Sequence, residues 1–421
     1  MRTKSSRPAW LLVFVLGSGS AAAQNLFVNP GFATNLTGWT LEPGVSAGWS
    51  PLDIGGSAAS GSALLTNSSG VAGFSGGLAQ CVAVVPGATV VFRVRVRVPA
   101  GQSSTARAQG ILNYYSGPSC GGTALAGFGN GTGSITSGFD AWIDFGIGTG
   151  VVPEGKASAL VAVRLEKVAA GGIVQAYFDE PSLAPVATVT IPASASIHGQ
   201  NGTFFQTDLW VLGSSPLFDA SVTARHRCFT SQTCAATNQY FGVFPRQSVY
   251  FTDALVTLFG DPGTAGAIEL SYDSSTPIKV LSRTYSPSLP APTTGTSVPA
   301  LTAVEARARA VLVGLGSSGG DLSQGFRSNV GVYNPGSSAV SVTVTLHGSS
   351  GTTLGAPVPL ALAANEARQV NDIFSAAGAA STLTRNAYAV VTSSAAVFSY
   401  ATVIDNQSAD SVFIVGADDG P

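Results

Sequence analysis

The second half of this chain repeats itself, and that duplication limits its architecture more than any other feature. Phe326-Arg327-Ser328-Asn329-Val330-Gly331-Val332-Tyr333 corresponds to the earlier Phe205-Gln206-Thr207-Asp208-Leu209-Trp210-Val211-Leu212, an offset of 326 − 205 = 121. Ser341-Val342-Thr343 corresponds to Ser221-Val222-Thr223 at 341 − 221 = 120, and Asn371-Asp372-Ile373-Phe374 to Thr252-Asp253-Ala254-Leu255 at 371 − 252 = 119. Offsets that drift one residue at a time describe a unit copied whole, with single-residue changes in its loops.

Each copy reads as β. In the first, strands are expected over 189–197, 205–212, 220–227, 248–251, 267–272 and 278–285. In the second, Val340, Val342, Val344 and Leu346 alternate with Ser341, Thr343 and Thr345, the period of a half-buried strand. Asn371 to Gly378 reads as a capped helical turn ended by glycine. Residues 387–392 and 397–404 read as a hairpin closed across Ser393-Ser394-Ala395. Short strands with turn signals between them point to Ig-like sandwiches over 186–290 and 304–421. The Pro- and Thr-rich stretch 291–303 is expected to link them. The 51 glycines and 23 prolines that punctuate these Val-, Ser- and Thr-rich runs fit an all-β chain.

The preceding region, 24–185, carries a different pattern. It opens with Asn29-Pro30-Gly31-Phe32 and Gly38-Trp39, continues through Gln80-Cys81-Val82-Ala83-Val84-Val85-Pro86-Gly87, and closes on Tyr177-Phe178-Asp179-Glu180-Pro181-Ser182-Leu183. Phe92, Val94, Val96 and Val98 alternate with Arg93, Arg95 and Arg97, so one face of that strand is apolar and the other cationic. These motifs resemble the carbohydrate-binding jelly-roll modules appended to bacterial cellulases and xylanases. The resemblance implies a jelly-roll β-sandwich with a sugar lying across the outer face of one sheet. It also implies that the opening segment and Asp179 sit together, around a structural calcium, although Ala33 stands where the family carries an acid. Trp39 and Trp142 match positions that pack structurally. The repeated half is similar to a duplicated β domain of exported bacterial proteins, which adds a compartment and no activity. The expected fold is therefore all-β: an N-terminal jelly-roll sandwich followed by two tandem Ig-like β-sandwich repeats.

Export is also legible at the start of the chain. Arg2, Lys4 and Arg7 precede the apolar run 9–16 and the small residues Ala21-Ala22-Ala23, so 1–23 reads as a secretory signal. The apolar run is too short for a membrane span, which takes about 20 residues. Without the signal's three charges, 20 − 3 = 17 basic residues face 22 acidic ones, a net charge of −5. No basic run exists to hold a phosphate backbone, so nucleic acid is not an expected partner. An even count of four cysteines in an exported chain reads as two disulfides. Cys228 and Cys234 suit a local staple, which leaves Cys81 with Cys120.

No catalytic motif emerges. Gly314-Leu315-Gly316-Ser317-Ser318-Gly319 matches a dinucleotide fingerprint, but no helix-forming sequence follows it. His198, His226 and His347 lie in no hydrolase or metalloprotease signature. The reading is a secreted or periplasmic, non-catalytic protein whose jelly roll binds a polysaccharide or cell-surface glycan. The alternative is a structural or adhesive surface protein that binds no sugar. The candidate binding residues are Arg93, Arg95 and Arg97 with Gln109, Asn113 and Tyr115, and Trp49 in a neighbouring loop. The arginine row is either a solvated face or a binding face. As a binding face it favours an anionic, uronate-type glycan, because adjacent cations repel unless an anion lies between them. No cofactor is expected beyond a calcium at Asp179.

Overall fold

The structure is a computed structural model that describes residues 25–126, 135–136, 139–199, 202–235, 237–287 and 293–419. The signal segment 1–23 lies outside the described residues. The chain is all-β, with only single helical turns between strands.

The first unit packs two sheets face to face. One runs in the order Thr40–Leu41, Phe74–Ala83, Ser158–Lys167, Ala106–Tyr115 and Ala124–Ala126, with Ile135–Thr136 also on Ala106–Tyr115. The other contains Ser46–Ser50, Ser62–Asn67, Thr89–Val98, Phe139–Val151 and the first half of Val174–His198. The expected alternation holds residue by residue: Phe92, Val94, Val96 and Val98 are buried and the arginines between them are not. The core joins Phe27, Phe32, Trp39, Phe92 and Phe178. Gln80 explains one scaffold motif. Its side chain accepts from Val28 N–H (2.7 Å) and donates to Val28 carbonyl (3.0 Å), which stitches the opening segment to the sheet.

Val174–His198 is one 25-residue strand that serves two units. Residues up to Pro185 pair with Thr89–Val98, and from Val186 onward the same strand pairs with Thr264–Asp273. A bulge sits at Glu180, whose φ is 48°, where the register shifts between Asp179 and Ser182.

The two copies of the repeat pair their strands in the same order. In the first, Gln239–Val243, Ala220–Cys228, Thr264–Asp273 and 186–196 form one run, while Ser248–Phe251, Phe204–Gly213, Ile278–Tyr285 and Thr296–Val298 form the other. In the second, Val358–Leu362, Val340–His347, the start of Leu383–Asp405 and Arg307–Ser318 match the first run. Ala367–Val370, Phe326–Tyr333, the end of Leu383–Asp405 and Ser411–Val415 match the second. One local device recurs. Asp253 (φ 43°) and Asp372 (φ 48°) each precede a single helical turn. Their backbone N–H groups donate to Asp208 and Asn329 respectively, both at 3.0 Å.

Two expectations need correction. Residues 383–405 do not form a hairpin. They are one strand that crosses from one sheet to the other, since Ser393-Ser394-Ala395 offers none of the positive-φ residues a tight reversal needs. Within the stretch 291–303, expected to link the repeats, the described residues 293–303 are tied to the first copy. Thr296–Val298 pairs with Ile278–Tyr285, Leu301 bridges to Thr190, and Val298 is 2% exposed. A buried valine and a satisfied ladder outweigh the Pro- and Thr-rich composition. Gly314 and Gly316 lie within the strand Arg307–Ser318, so no phosphate-binding loop forms there.

Candidate functional site

The open face of the first unit is the outer side of the sheet centred on Ser158–Lys167 and Ala106–Tyr115. Alternation sends Arg107, Gln109, Ile111, Asn113 and Tyr115 outward from one strand and Leu160, Arg164 and Glu166 from its neighbour. The antiparallel register sets Arg107 opposite Glu166, Gln109 opposite Arg164 and Asn113 opposite Leu160. Glu166 accepts from Arg107 (3.2 Å) and from the Gln109 amide. Arg164 grips Glu42 through two bonds of 2.6 Å, and this pairing raises its pKa. Two arginines and two glutamates thus neutralise one another in a fixed array. Asn113 and Tyr115 have no side-chain hydrogen bond among the described residues, so their polar groups remain available. Ala162 lies on the same outer face, opposite Ile111, and is 0% exposed. The Cys81–Cys120 disulfide (Cα–Cα 5.9 Å) borders this face, because Cys81 lies opposite Leu160. The Cys228–Cys234 disulfide also forms.

Arg93, Arg95 and Arg97 lie elsewhere. Their strand belongs to the opposite sheet, so the structure does not bring them together with Gln109, Asn113 and Tyr115. Nor is the row open. The segment 217–219 of the second unit lies on it: Arg93 donates to the Asp219 carbonyl and Arg95 to the Leu217 carbonyl, both at 3.1 Å. The Phe218 ring centroid is 4.7 Å from the Arg95 guanidinium carbon. Arg93 pairs with Asp144 and, at 3.8 Å, with Asp273; Arg95 pairs with Asp144 and Arg97 with Asp140. Burial lowers the pKa of Arg95, partly offset by Asp144. The repulsion that favoured an anionic glycan is therefore answered from within the protein. Arg95→Ala removes a charged hydrogen bond and a ring contact at the junction of two units. It should cost about 1–3 kcal/mol of stability, read by thermal unfolding. An unaltered melting curve would refute the junction role.

Trp49 is 39% exposed, and its indole N–H donates to the Phe32 carbonyl at 2.7 Å. Its strand pairs with Ser62–Asn67, in the arginines' sheet, so it too is remote from Tyr115. Trp39 packs between Phe27 and Phe32 in the core. Asp179 is fully buried. Its two oxygens accept the N–H groups of Ile54 (3.0 Å) and Glu180 (2.8 Å). Burial pushes its pKa up to about 7 and also raises that of Glu180. Asp53 adds repulsion to both. Carboxylate oxygens suit a hard cation. Those of Asp53, Asp179 and Glu180 do not converge within 4.8 Å of one another among the described residues.

Sequence reading missed Glu42, which lies 122 residues from Arg164 and carries no local signal. His226, to which the sequence assigned no role, is buried and bonded through Nδ1 to Asp261 (2.9 Å); it lies beside Cys234, whose sulfur is committed to a disulfide and so is no thiolate ligand.

No family model and no curated protein matches this sequence. Among solved structures, the chain is similar to the CBM22-1 xylan-binding domain from Paenibacillus barcinonensis Xyn10C, with 17% identity, a TM-score of 0.29, and coverage of 40% of this chain and 97% of that one. It is also similar to the tandem CBM22-1-CBM22-2 domain of the same protein, at 13% identity and a TM-score of 0.31, over 62% of this chain and 97% of that one. A third is the C-terminal family 22 carbohydrate-binding module of Clostridium thermocellum Xyn10B, at 20% identity and a TM-score of 0.29, over 40% of this chain and 97% of that one. Scores at this level assign no function, which is argued below from the site alone.

Proposed function

We propose that this is an exported, non-catalytic protein that binds a neutral polysaccharide on the outer face of the sheet carrying Gln109, Asn113 and Tyr115. One observation carries the reading: a charge-balanced, pre-bonded array of Glu42, Arg164, Gln109, Glu166 and Arg107 lies beside the unengaged Asn113 and Tyr115. Sugar hydroxyls both donate and accept, so they suit groups whose geometry is already fixed. A tyrosine ring offers a flat apolar face to a pyranose. Two disulfides suit an oxidising compartment. Among the described residues no helix is long and apolar enough to cross a membrane. Asp179 serves the fold through its two N–H partners, and binding needs no cofactor.

The test is calorimetry on the full chain with soluble xylan, β-glucan, mannan and polygalacturonate. A neutral glycan should bind, with affinity changing less than about twofold between low and high salt, since no net charge is screened. Tyr115→Ala combined with Gln109→Ala should weaken it at least about tenfold, or ~1.4 kcal/mol. Preference for polygalacturonate with steep salt dependence would overturn the reading. Absence of binding to any glycan would favour a structural or adhesive role.

A further inference from the structure

Between the two copies of the repeat lies a cavity of about 470 Å3, within the size range of small-molecule sites. Its walls are partly aromatic, with Phe205 and Phe229 from the first copy and Tyr400 and Phe413 from the second. Tyr400 and Phe413 are stacked at 5.2 Å, and the Tyr400 hydroxyl donates to Gln369, so that wall is rigid. Gly331 makes room for it, because a Cβ there would meet the Tyr400 ring at 1.9 Å. None of the lining residues is acidic, yet two are arginines.

Arg327 is the telling one. It is 6% exposed, lines the cavity, and makes one side-chain hydrogen bond, to Asn406 at 2.6 Å. It has no ion pair among the described residues. The other copy carries the neutral Gln206 at this position, so the buried charge is particular to this copy. The acid that stands two residues on in that copy, Asp208, is also absent here, its place being taken by the neutral Asn329. Asp372 acts on Arg327 only at a distance, since the two form no ion pair, and its carboxylate already accepts from Ser375 N–H. A buried cation with no paired counter-ion is costly, and an anion from outside would relieve it.

We propose that this cavity binds a small monocarboxylate with a ring body, the carboxylate on Arg327 and the ring against the aromatic walls. A planar guanidinium presents paired N–H donors that match a carboxylate. One negative charge balances the one deeply buried cation, whereas a phosphate dianion would leave excess charge in the cavity. Arg368, exposed at the rim and bonded to the Ala361 carbonyl at 3.3 Å, draws an anion inward, but its charge is screened by water and does not enter the buried balance. The proposal is independent of glycan binding on the first unit.

The probes are benzoate and glucuronate, which separate an aromatic acid from a sugar acid, with benzamide, glucose and inorganic phosphate as controls. They are titrated into the full chain by calorimetry. At least one carboxylate should bind in the millimolar range or tighter, at least about tenfold better than its neutral counterpart. Arg327→Gln should abolish that preference, Arg327→Lys should retain part of it, and Tyr115→Ala should leave it intact. Circular dichroism melts confirm that each variant folds; should Arg327→Gln unfold, Arg368→Gln and the carboxylate-to-neutral ratio in the unaltered chain decide the matter. No heat with either carboxylate, equal binding of the neutral probes, or binding of phosphate alone would overturn the proposal.

Discussion

Replacing both Cys81 and Cys120 with serine is expected to destabilise the first unit by about 4 kcal/mol, a drop of roughly 10 °C in its melting temperature. The bond spans a sequence separation of 39 and so removes more chain entropy from the unfolded state than the separation of 6 at Cys228–Cys234. The same loop-closure reasoning gives about 2.4 kcal/mol for the shorter bridge. Glycan affinity should fall with the first pair only, because that bond flanks the face bearing Asn113 and Tyr115. Differential scanning calorimetry of the two double variants, with non-reducing peptide mapping of the parent, checks both points. Free thiols in protein produced in an oxidising compartment, or equal losses from the two pairs, would sink the argument.

The second large effect concerns pH. Asp179 holds its proton in the folded protein up to about pH 7, chiefly because it is buried, whereas an unfolded aspartate releases it near its ordinary value of 3.8. The folded state therefore binds more protons than the unfolded one between these values. The stabilisation is full below the unfolded pKa and is lost as pH rises through the folded one. Integrated over that window, the loss approaches about 4 kcal/mol. Asp179→Asn should flatten the decline, giving up about 1 kcal/mol at low pH for one imperfect hydrogen bond. The measurement is chemical denaturation from pH 4 to pH 8 in the presence of a chelator. If millimolar calcium restores the stability at pH 8, a cation does sit on these carboxylates, and the reading of Asp179 as a purely structural clamp is wrong.

What could be read from the sequence divides along a physical line. Period-two alternation reports which side chains leave the core, and it placed the arginines of Thr89–Val98 and the polar groups of Ala106–Tyr115 correctly on outer faces. It does not report which sheet a strand joins or what covers its outer face. Hence Arg95 reads as a binding residue although Phe218 lies over it, and the two halves of the candidate site fall on opposite sheets. The repeat offset carried more information. It matched Asp208 with Asn329, and the structure gives both the same backbone partner position. The difference between them, an acid in one copy and an amide in the other, only acquires meaning once Arg327 is seen buried beside a cavity. Local composition misled at 291–303, where the strand Thr296–Val298 owes its order to neighbours distant in sequence.

Between the first two sandwiches there is no slack to take up. Under the proposed function, a polysaccharide dragging on the first unit, against whatever holds the remainder, would pull along the single backbone Val174–His198. Its 174–185 portion is laddered to Ser62–Asn67 and Thr89–Val98, and its later portion to Thr264–Asp273. Tension along such a strand loads those hydrogen bonds in parallel, as shear, and does not peel them one at a time. The junction behaves as a tendon woven into both of its attachments, and the first unit cannot swivel to spare its ligand the force.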